Sequence, residues 1–445
     1  MDRLKKIFSI SIVIGLICIV TVIQGHGFTL EECVDLALRN NPNLQQQKLN
    51  LELAHEDMTD RKSQNFGQLN VISSYTHYNL PHTLAPLTPA SIMADPTAVP
   101  TTEDLFTAGL VYEVALFTGF TQTKAIQIAA LQKEMAGVTL KLSREQLIYN
   151  VKTLYVDILS LRAQEEAQAA YVKALTYLHD DVSRQLKLGK KARIDQLKAA
   201  ADLKNGHAGK SRITADIKIM KAALASLLNI DAVPELQPID LSPESMVVIE
   251  DDFSDRIESL QRLRAAQLAV EKNTKLVEKA NGSLYPQVVL NTGYGQNFGP
   301  NDSSNKNSGD WNHQEIWQAG VNLKWNILDF GGNRARVQKA RALERQSRHE
   351  QTKTALELKR ALLEAVTKID TAVTDYNSAR EELAMTRETE AIEQVRYEQG
   401  AADTGDLLNA KARSQLAQSR FINAGYSCKN AYFYLDYLLE NGENR

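Results

Sequence analysis

Apolar positions along this 445-residue chain recur with two different periods, and the switches between them mark its elements. Leu147, Val151, Leu154, Ile158 and Leu161 fall at helical spacing, as do Leu356, Leu363, Val366, Ile369 and Val373. Val321, Leu323, Trp325 and Ile327 instead alternate with Asn322, Lys324 and Asn326, a period of two that predicts a strand. The segment before it sets Val288, Leu290 and Tyr294 on one face and Asn291, Gly293, Gly295 and Asn297 on the other. Between the two, Gly299-Pro300-Asn301-Asp302-Ser303-Ser304 reads as a polar loop. Proline respects the same division. Residues 101–233 and 301–445 contain none and are rich in strong helix formers, whereas prolines gather at 81–100, 234–243, 286 and 300.

The pattern occurs twice. At an offset of 211, Leu110, Tyr112, Val114 and Leu116 fall on Val321, Leu323, Trp325 and Ile327. The same offset maps Gly189, Asp195, Leu197 and Ala199 onto Gly400, Asp406, Leu408 and Ala410. Upstream it becomes 219, pairing Gln68, Leu69, Val71 and Tyr75 with Gln287, Val288, Leu290 and Tyr294, the difference being a longer first-copy loop. A register held over such a length is a duplication. The expected first repeat, 28–229, has a helix at 29–66, strands at 68–80 and 105–117, and helices at 120–188 and 192–229. After a linker at 230–254, the second repeat, 255–440, has a helix at 255–282, strands at 286–298 and 315–328, and helices at 332–399 and 403–439.

Strands with one apolar and one polar face suit a half-buried soluble sheet or a membrane barrel around a water-filled bore. The barrel is favoured by strand length and by Tyr75, Tyr112, Tyr294 and Trp325 on the outward faces, amphipathic rings suited to a membrane interface. Export favours it too. Arg3, Lys5 and Lys6 precede an apolar run from Ile7 to Ile23, which reads as a signal peptide over 1–25, with an uncleaved anchor as the alternative. Cys18 lies in a poor context for lipidation. Four strands cannot close a barrel, so this reading requires several copies. A helix from 120 to 188 would run roughly 100 Å, a rod that belongs in a coiled-coil sheath or an extended tunnel.

Charge excludes one class of partner. The chain carries a formal −3 with no basic block, so nucleic acid is not expected. Cysteines are few. Cys33 and Cys428 near the two ends could pair in an oxidising compartment, although two buried free thiols are the commoner arrangement. The eight histidines show no metal-ligand spacing, and no phosphate loop, dinucleotide fingerprint or nucleophile elbow is present, so neither an enzyme nor a cofactor is expected.

Several segments resemble the TolC-like outer-membrane efflux protein family. Thr29-Leu30-Glu31-Glu32-Cys33-Val34-Asp35-Leu36-Ala37-Leu38-Arg39-Asn40-Asn41-Pro42 is similar to its N-terminal signature. Trp325-Asn326-Ile327-Leu328-Asp329-Phe330-Gly331-Gly332 and Leu116-Phe117-Thr118-Gly119 resemble its strand-to-helix junctions. Gly-x5-Asp-x-Leu-x-Ala, at Gly189 and again at Gly400, resembles its periplasmic tip turns. The resemblance spans essentially the whole mature chain. It implies a mainly α fold with a membrane β-barrel: a homotrimer whose 12-stranded β-barrel in outer-membrane lipid continues into a 12-helix α-barrel tunnel. It also implies a periplasmic adaptor and an inner-membrane pump of the RND, ABC or MFS type, for efflux or type I secretion. Carried over by position, Tyr397, Asp406, Asn409 and Asp195 form a periplasmic gate. Asp406 supplies a ring of carboxylates, and Asn409 stands where relatives have a second aspartate. The arginine expected to pair with Asp195 is here Ala402, with Arg193 as a substitute. The turns at Leu188, Gly189, Gln399 and Gly400 are expected to dock adaptor hairpins. Lys187, Lys190 and Lys191 surround the first turn and Glu398, Asp403 and Asp406 the second, although such runs are more usually solvated faces. Asp195 and Asp406 also sit where acids simply favour a helix N-terminus. The rival to a channel is a periplasmic coiled-coil scaffold or adaptor-like protein.

Overall fold

The computed structural model describes residues 27–94, 99–241, 253–300 and 311–442. The expected signal peptide, Cys18 and loop residues 301–304 lie outside these. In chain order the elements are α1 (Leu30–Asn40), α2 (Pro42–Ser63), β1 (Gln68–Thr83), α3 (Pro89–Ala94), β2 (Thr101–Phe117), α4 (Thr121–Lys187) and α5 (Arg193–Leu228), followed by α6 (Ser254–Ser259), α7 (Gln261–Gly282), β3 (Gln287–Pro300), β4 (Trp311–Lys324), α8 (Gly332–Glu398) and α9 (Thr404–Leu438).

The duplication reaches the backbone dihedrals. The long helices α4 and α8 each have 67 residues, offset by 211. Left-handed residues recur at that offset too: Gly119 and Phe120 with Phe330 and Gly331, Gly189 with Gly400, and Asn229 with Glu440.

Several boundaries differ from those expected, each for a local reason. The helix expected over 29–66 breaks at Asn41, whose backbone is extended (ψ 121°) because Pro42 follows it. Asn41 then caps α2, its side chain accepting from the Leu44 N–H at 3.1 Å. The helix expected over 255–282 is interrupted at Leu260, which is extended with its side chain buried. Strand β1 continues through Pro81 to Thr83. A proline is tolerated there because β1 is an edge strand, and its pairing with β2 is irregular between His77 and His82. Gly299 and Pro300 belong to β3, not to a loop. The last strand runs from Trp311 to Lys324 and stops short of Trp325 and Ile327. Its final pair is Lys324 with Gln287, and the residue before Gln287 is Pro286, which has no N–H to offer.

One compact unit comprises residues 46–141 and 258–357. Among the described residues, its four strands form a single antiparallel sheet in the order β1-β2-β3-β4, which leaves β1 and β4 as open edges. Where the two copies meet, Gly109 and Gly295 pair in register. A Cβ on Gly109 would lie 2.8 Å from the Tyr294 carbonyl oxygen, so only glycine allows these strands to approach so closely. Among the described residues no helix is long and apolar enough to cross a membrane.

The other unit comprises residues up to 45, 142–257 and from 358 onward. Its core includes Leu175, Leu178 and Val182 of α4 packed on Leu407 and Leu408 of α9. A second cluster joins Leu362, Ala365 and Ile369 of α8 to Leu435 and Leu438 of α9. The start of the chain is clasped to the segment that follows α5. Phe28 donates to the Glu235 carbonyl at 2.7 Å, and Gln237 donates back to Phe28 at 3.0 Å. Tyr155 of α4 is fully buried, its hydroxyl 2.8 Å and 2.7 Å from the Phe28 and Gln237 carbonyl oxygens.

Cys33 and Cys428 are both buried and unpaired. Burial, then the nearby Glu32 and Glu31, pushes the Cys33 thiol up to about 12. The thiolate is the reactive form, so at pH 8 only about one Cys33 in ten thousand carries it. Peptide mapping after maleimide treatment of the native protein at that pH should find Cys33 unmodified, with labelling appearing only after denaturation. Rapid labelling of the native protein would contradict this burial.

Candidate functional site: the sheet faces and the hairpin turns

The register assigns every strand residue to one of two faces. One face is apolar and open to the surroundings: Leu69, Val71, Leu110, Val321 and Leu323 are between 45% and 81% exposed. Aromatic rings cross it as a row at the loop end, with centroids 4.8 Å apart for Tyr75–Phe106, 5.5 Å for Phe106–Phe298 and 6.1 Å for Phe298–Trp311. At the helix end the Tyr112 hydroxyl donates to the Phe66 carbonyl at 2.7 Å, and Trp325 Nε1 donates to the Leu284 carbonyl at 3.1 Å. Tyr112 and Phe106 are separated by about 20 Å along β2, comparable to the ~25 Å apolar band of a membrane barrel. Tyr294 lies between these levels, opposite Leu110 and Trp317. The sequence reading missed Phe106, Phe298, Trp311 and Trp317. Trp317 continues the alternation of Val321 and Leu323, so its signal was present.

The opposite face carries Asn70, Asn291, Gln314, Gln318 and Asn322, interspersed with Gly293 and Gly320. At its loop end, Asn297 donates to the Leu84 carbonyl at 2.9 Å and accepts from Thr107 at 3.0 Å.

In the other unit, both hairpin turns close in the same way. Helix α4 ends with Gly189 at φ 73°, its N–H donating to Leu186, and Lys190 donating to Gln185. Helix α8 ends with Gly400 at φ 73°, donating to Tyr397, and Ala401 donating to Arg396. These are the paired carbonyl caps of a left-handed helix terminus, which a side-chain-bearing residue reaches only at a cost. A Cβ at either glycine would meet nothing within 4 Å, so the backbone angle alone requires them. Leu188 is 70% exposed beside the first turn, and Gln399 is exposed beside the second.

Both aspartates of the turn motif brace their own helix. Asp406 Oδ2 accepts from the Asp403 N–H at 3.4 Å while Asp403 accepts from the Asp406 N–H at 2.8 Å. Asp195 accepts from the Ala192 N–H at 3.2 Å, and alanine cannot return the bond. The turn that buries Leu407 and Leu408 leaves Asp406 and Asn409 exposed. Arg193 donates to Gln196 at 2.9 Å.

Tyr397 joins the two hairpins. Its hydroxyl donates to Asp181 of α4 at 3.4 Å, and Lys191 of the first turn lies 4.9 Å from its ring centroid. Burial, then the Asp181 charge, pushes the Tyr397 hydroxyl up from its ordinary range. The Asp403 carboxyl is held low, chiefly by the Asp406 N–H, with Lys198 and Lys191 of the first hairpin adding to it. Lys191 of the first turn therefore lies near both Tyr397 and Asp403 of the second hairpin. Asp181 had no signal in the sequence, because its meeting with Tyr397 depends on the register between α4 and the second hairpin.

The family model described as outer membrane efflux protein matches residues 33–229 and again 254–439. The chain belongs to that family. It is 22% identical over 327 residues to nodulation protein T of Rhizobium leguminosarum bv. trifolii, covering 71% of this chain and 67% of that one. Its fold matches the Campylobacter jejuni CmeC outer membrane channel with a TM-score of 0.77 at 16% identity, over 93% of this chain and 86% of that one. It also matches the open state of the Neisseria gonorrhoeae MtrE outer membrane channel, with a TM-score of 0.72 at 16% identity, over 93% and 89%. The protein is thus a non-enzymatic outer-membrane efflux channel with a β-barrel and a periplasmic helical extension. Channels of this family are trimers.

The Tyr397–Asp181 contact has a measurable strength. A double-mutant cycle of Tyr397→Phe and Asp181→Asn, followed by denaturant unfolding, should return a coupling of about 1 kcal/mol. Additive single effects would show that the two side chains do not interact.

Proposed function

We propose that this chain forms a passive homotrimeric exit duct, supplied by an inner-membrane pump through a periplasmic adaptor and closed at the helical hairpin tips. The observation that supports it best is the sheet: four strands, two unpaired edges and an exposed apolar face bounded by aromatic rings. Unpaired backbone groups in hydrocarbon cost several kcal/mol each, so such a sheet is stable in a bilayer only when other copies complete a closed barrel. The apolar face with Tyr75, Tyr112, Tyr294 and Trp325 then meets lipid, and the amide face meets water. A periplasmic scaffold would leave the same apolar face in water, where it has no covering partner.

In this reading Asp406 contributes one carboxylate per protomer to a ring at the tip. Like charges around one axis attract cations. Asn409, one helical turn further, adds hydrogen-bonding capacity without charge. Tyr397, held by Asp181 and Lys191, keeps the second hairpin against the first, and Asp195 braces the first hairpin from its own helix end. The exposed turns at Leu188, Gly189, Gln399 and Gly400 are the adaptor contacts.

Planar-bilayer recording of the purified protein tests the duct and the ring together. Single channels should conduct, divalent cations should reduce the current, and Asp406→Ala should weaken that block about tenfold, the effect of losing one ring of charge. Strong block that survives Asp406→Ala would place the cation site elsewhere.

A further inference from the structure

The duplication supplies a template for what meets the open edges of the sheet. Helices α2 and α7 have 22 residues each, offset by 219, and α4 and α8 have 67 each, offset by 211. The hairpin registers superpose at the same offsets: Gln68 opposite Glu113 corresponds to Gln287 opposite Lys324. Within one chain, the end of the first repeat meets the start of the second. There β2 pairs with β3, and α4 lies along α7 through Lys124–Glu278 at 2.6 Å and Arg264–Glu134 at 2.7 Å. The corresponding seam, from β4 and α8 to β1 and α2, is not made within the described residues of one chain.

Both halves of that second seam carry the marks of a missing neighbour. Strand β2 runs on to Phe117, past the end of its pairing with β1 at Glu113, because β3 holds it through Val114–Leu290, Ala115–Val289 and Phe117–Val288. Strand β4 lacks such a neighbour and ends at Lys324, the counterpart of Glu113, leaving Trp325, Ile327 and Leu328 exposed. Leu49 of α2 is exposed too, where its counterpart Leu268 is fully buried. The charges have changed places together. At the internal seam Arg264 bridges Glu134 of α4 and Glu271 of α7. By position these three become Gln45, Arg345 and Glu52, so the positive charge has crossed to the other side. In the groove beside them, Ala130 and Lys275 become Arg341 and Glu56, whereas Lys124 and Glu278 become Ala335 and Thr59 and lose both charges at once. Glu52, Glu56, Arg341 and Arg345 are exposed, and none forms a salt bridge among the described residues.

Resting on the duct reading above, we infer that the next copy of this chain docks on the β4–α8 edge in the register of the internal seam. That register sets Tyr75 of the next copy opposite Val321 and Val71 of the next copy opposite Trp325. It sets Glu52 and Glu56 of the next copy against Arg345 and Arg341 of α8. Phe330 and Ser63 replace Gly119 and Gly282, which touch at the internal junction, so the copies stand further apart at that point. Opposite charges on the two helices favour this register, because a displaced copy would leave them unpaired or against their like.

Oxidative cross-linking of the full-length protein in its membrane tests the register. Directly opposite residues on paired strands lie about 5 Å apart, close enough for a disulfide, and diagonal neighbours lie beyond its usual reach. Val321→Cys with Tyr75→Cys should therefore give covalently linked copies. The displaced pairs, Val321→Cys with Ser73→Cys or His77→Cys, should give at least about fivefold less. A second measurement reads the charges. Arg341→Glu with Arg345→Glu should raise the fraction of free protomer in detergent at least about tenfold. Adding Glu52→Arg and Glu56→Arg should restore that fraction to within about threefold of the unmodified protein. Reversals whose effects merely add overturn the charge pairing. A trimer that links through a displaced pair, or through none, overturns the register alone. A protein that stays monomeric in the membrane overturns the duct reading itself.

Discussion

Backbone hydrogen bonds left open at the two sheet edges set the terms for the rest of this molecule. Among the described residues the strands pair β1-β2-β3-β4 and stop, and no further strand covers β1 or β4. In water an edge strand finds solvent, but in hydrocarbon it finds nothing, so the sheet becomes stable only inside a closed ring of copies. The exposed apolar face requires the same outcome. Both features reside in strands whose outward face is mainly apolar, so a shift of one residue would turn much of the greasy side inward and weaken the basis for insertion.

The helical part answers a different constraint. A rod of 67 residues has no core of its own and gains stability only by lying along others. In the described unit α4 is held at intervals against α9: Asn430 donates to Asp157, Asn423 meets Ser160 and Gln164, and Gln415 meets Gln168. Near the turns the packing becomes apolar, with Leu175, Leu178 and Val182 against Leu407 and Leu408. Polar pairs give this seam register, and the leucine cluster fastens its far end. Tyr397, Asp181 and Lys191 border that cluster, so the position of the second hairpin follows from packing as much as from charge.

The two copies have kept one backbone and diverged in side chains. Left-handed residues recur at the same offset even where glycine has been replaced, as at Phe120 and Phe330, or at Asn229 and Glu440. The turns share their carbonyl caps, yet the first is surrounded by lysines and the second by acids. Of those charges, Lys191 lies over the Tyr397 ring and near Asp403 within a single chain.

Much of this architecture was legible in the sequence, because period, proline placement and repeat offset are local properties. The two faces of the sheet, the long helices, the glycine turns and the apolar-face positions of Tyr75, Tyr112 and Tyr294 all follow from spacing. Strand ends were less legible: β4 stops at Lys324 because its partner strand begins after Pro286, a fact about pairing and not about β4 itself. The same holds for the site. Asp195 and Asp406 could be placed from the motif, and their capping bonds from their distance to the helix start. The partner of Tyr397 could not, since Asp181 is 216 residues away and reaches it only through the packing of α4 on α9. Nor could the clasp of Phe28 and Gln237 on Tyr155, where three distant segments converge. What the sequence determined by itself was each element's type and the face it presents. Which elements meet, and at what register, was decided only by tertiary packing, because contact between distant segments depends on how whole surfaces fit together.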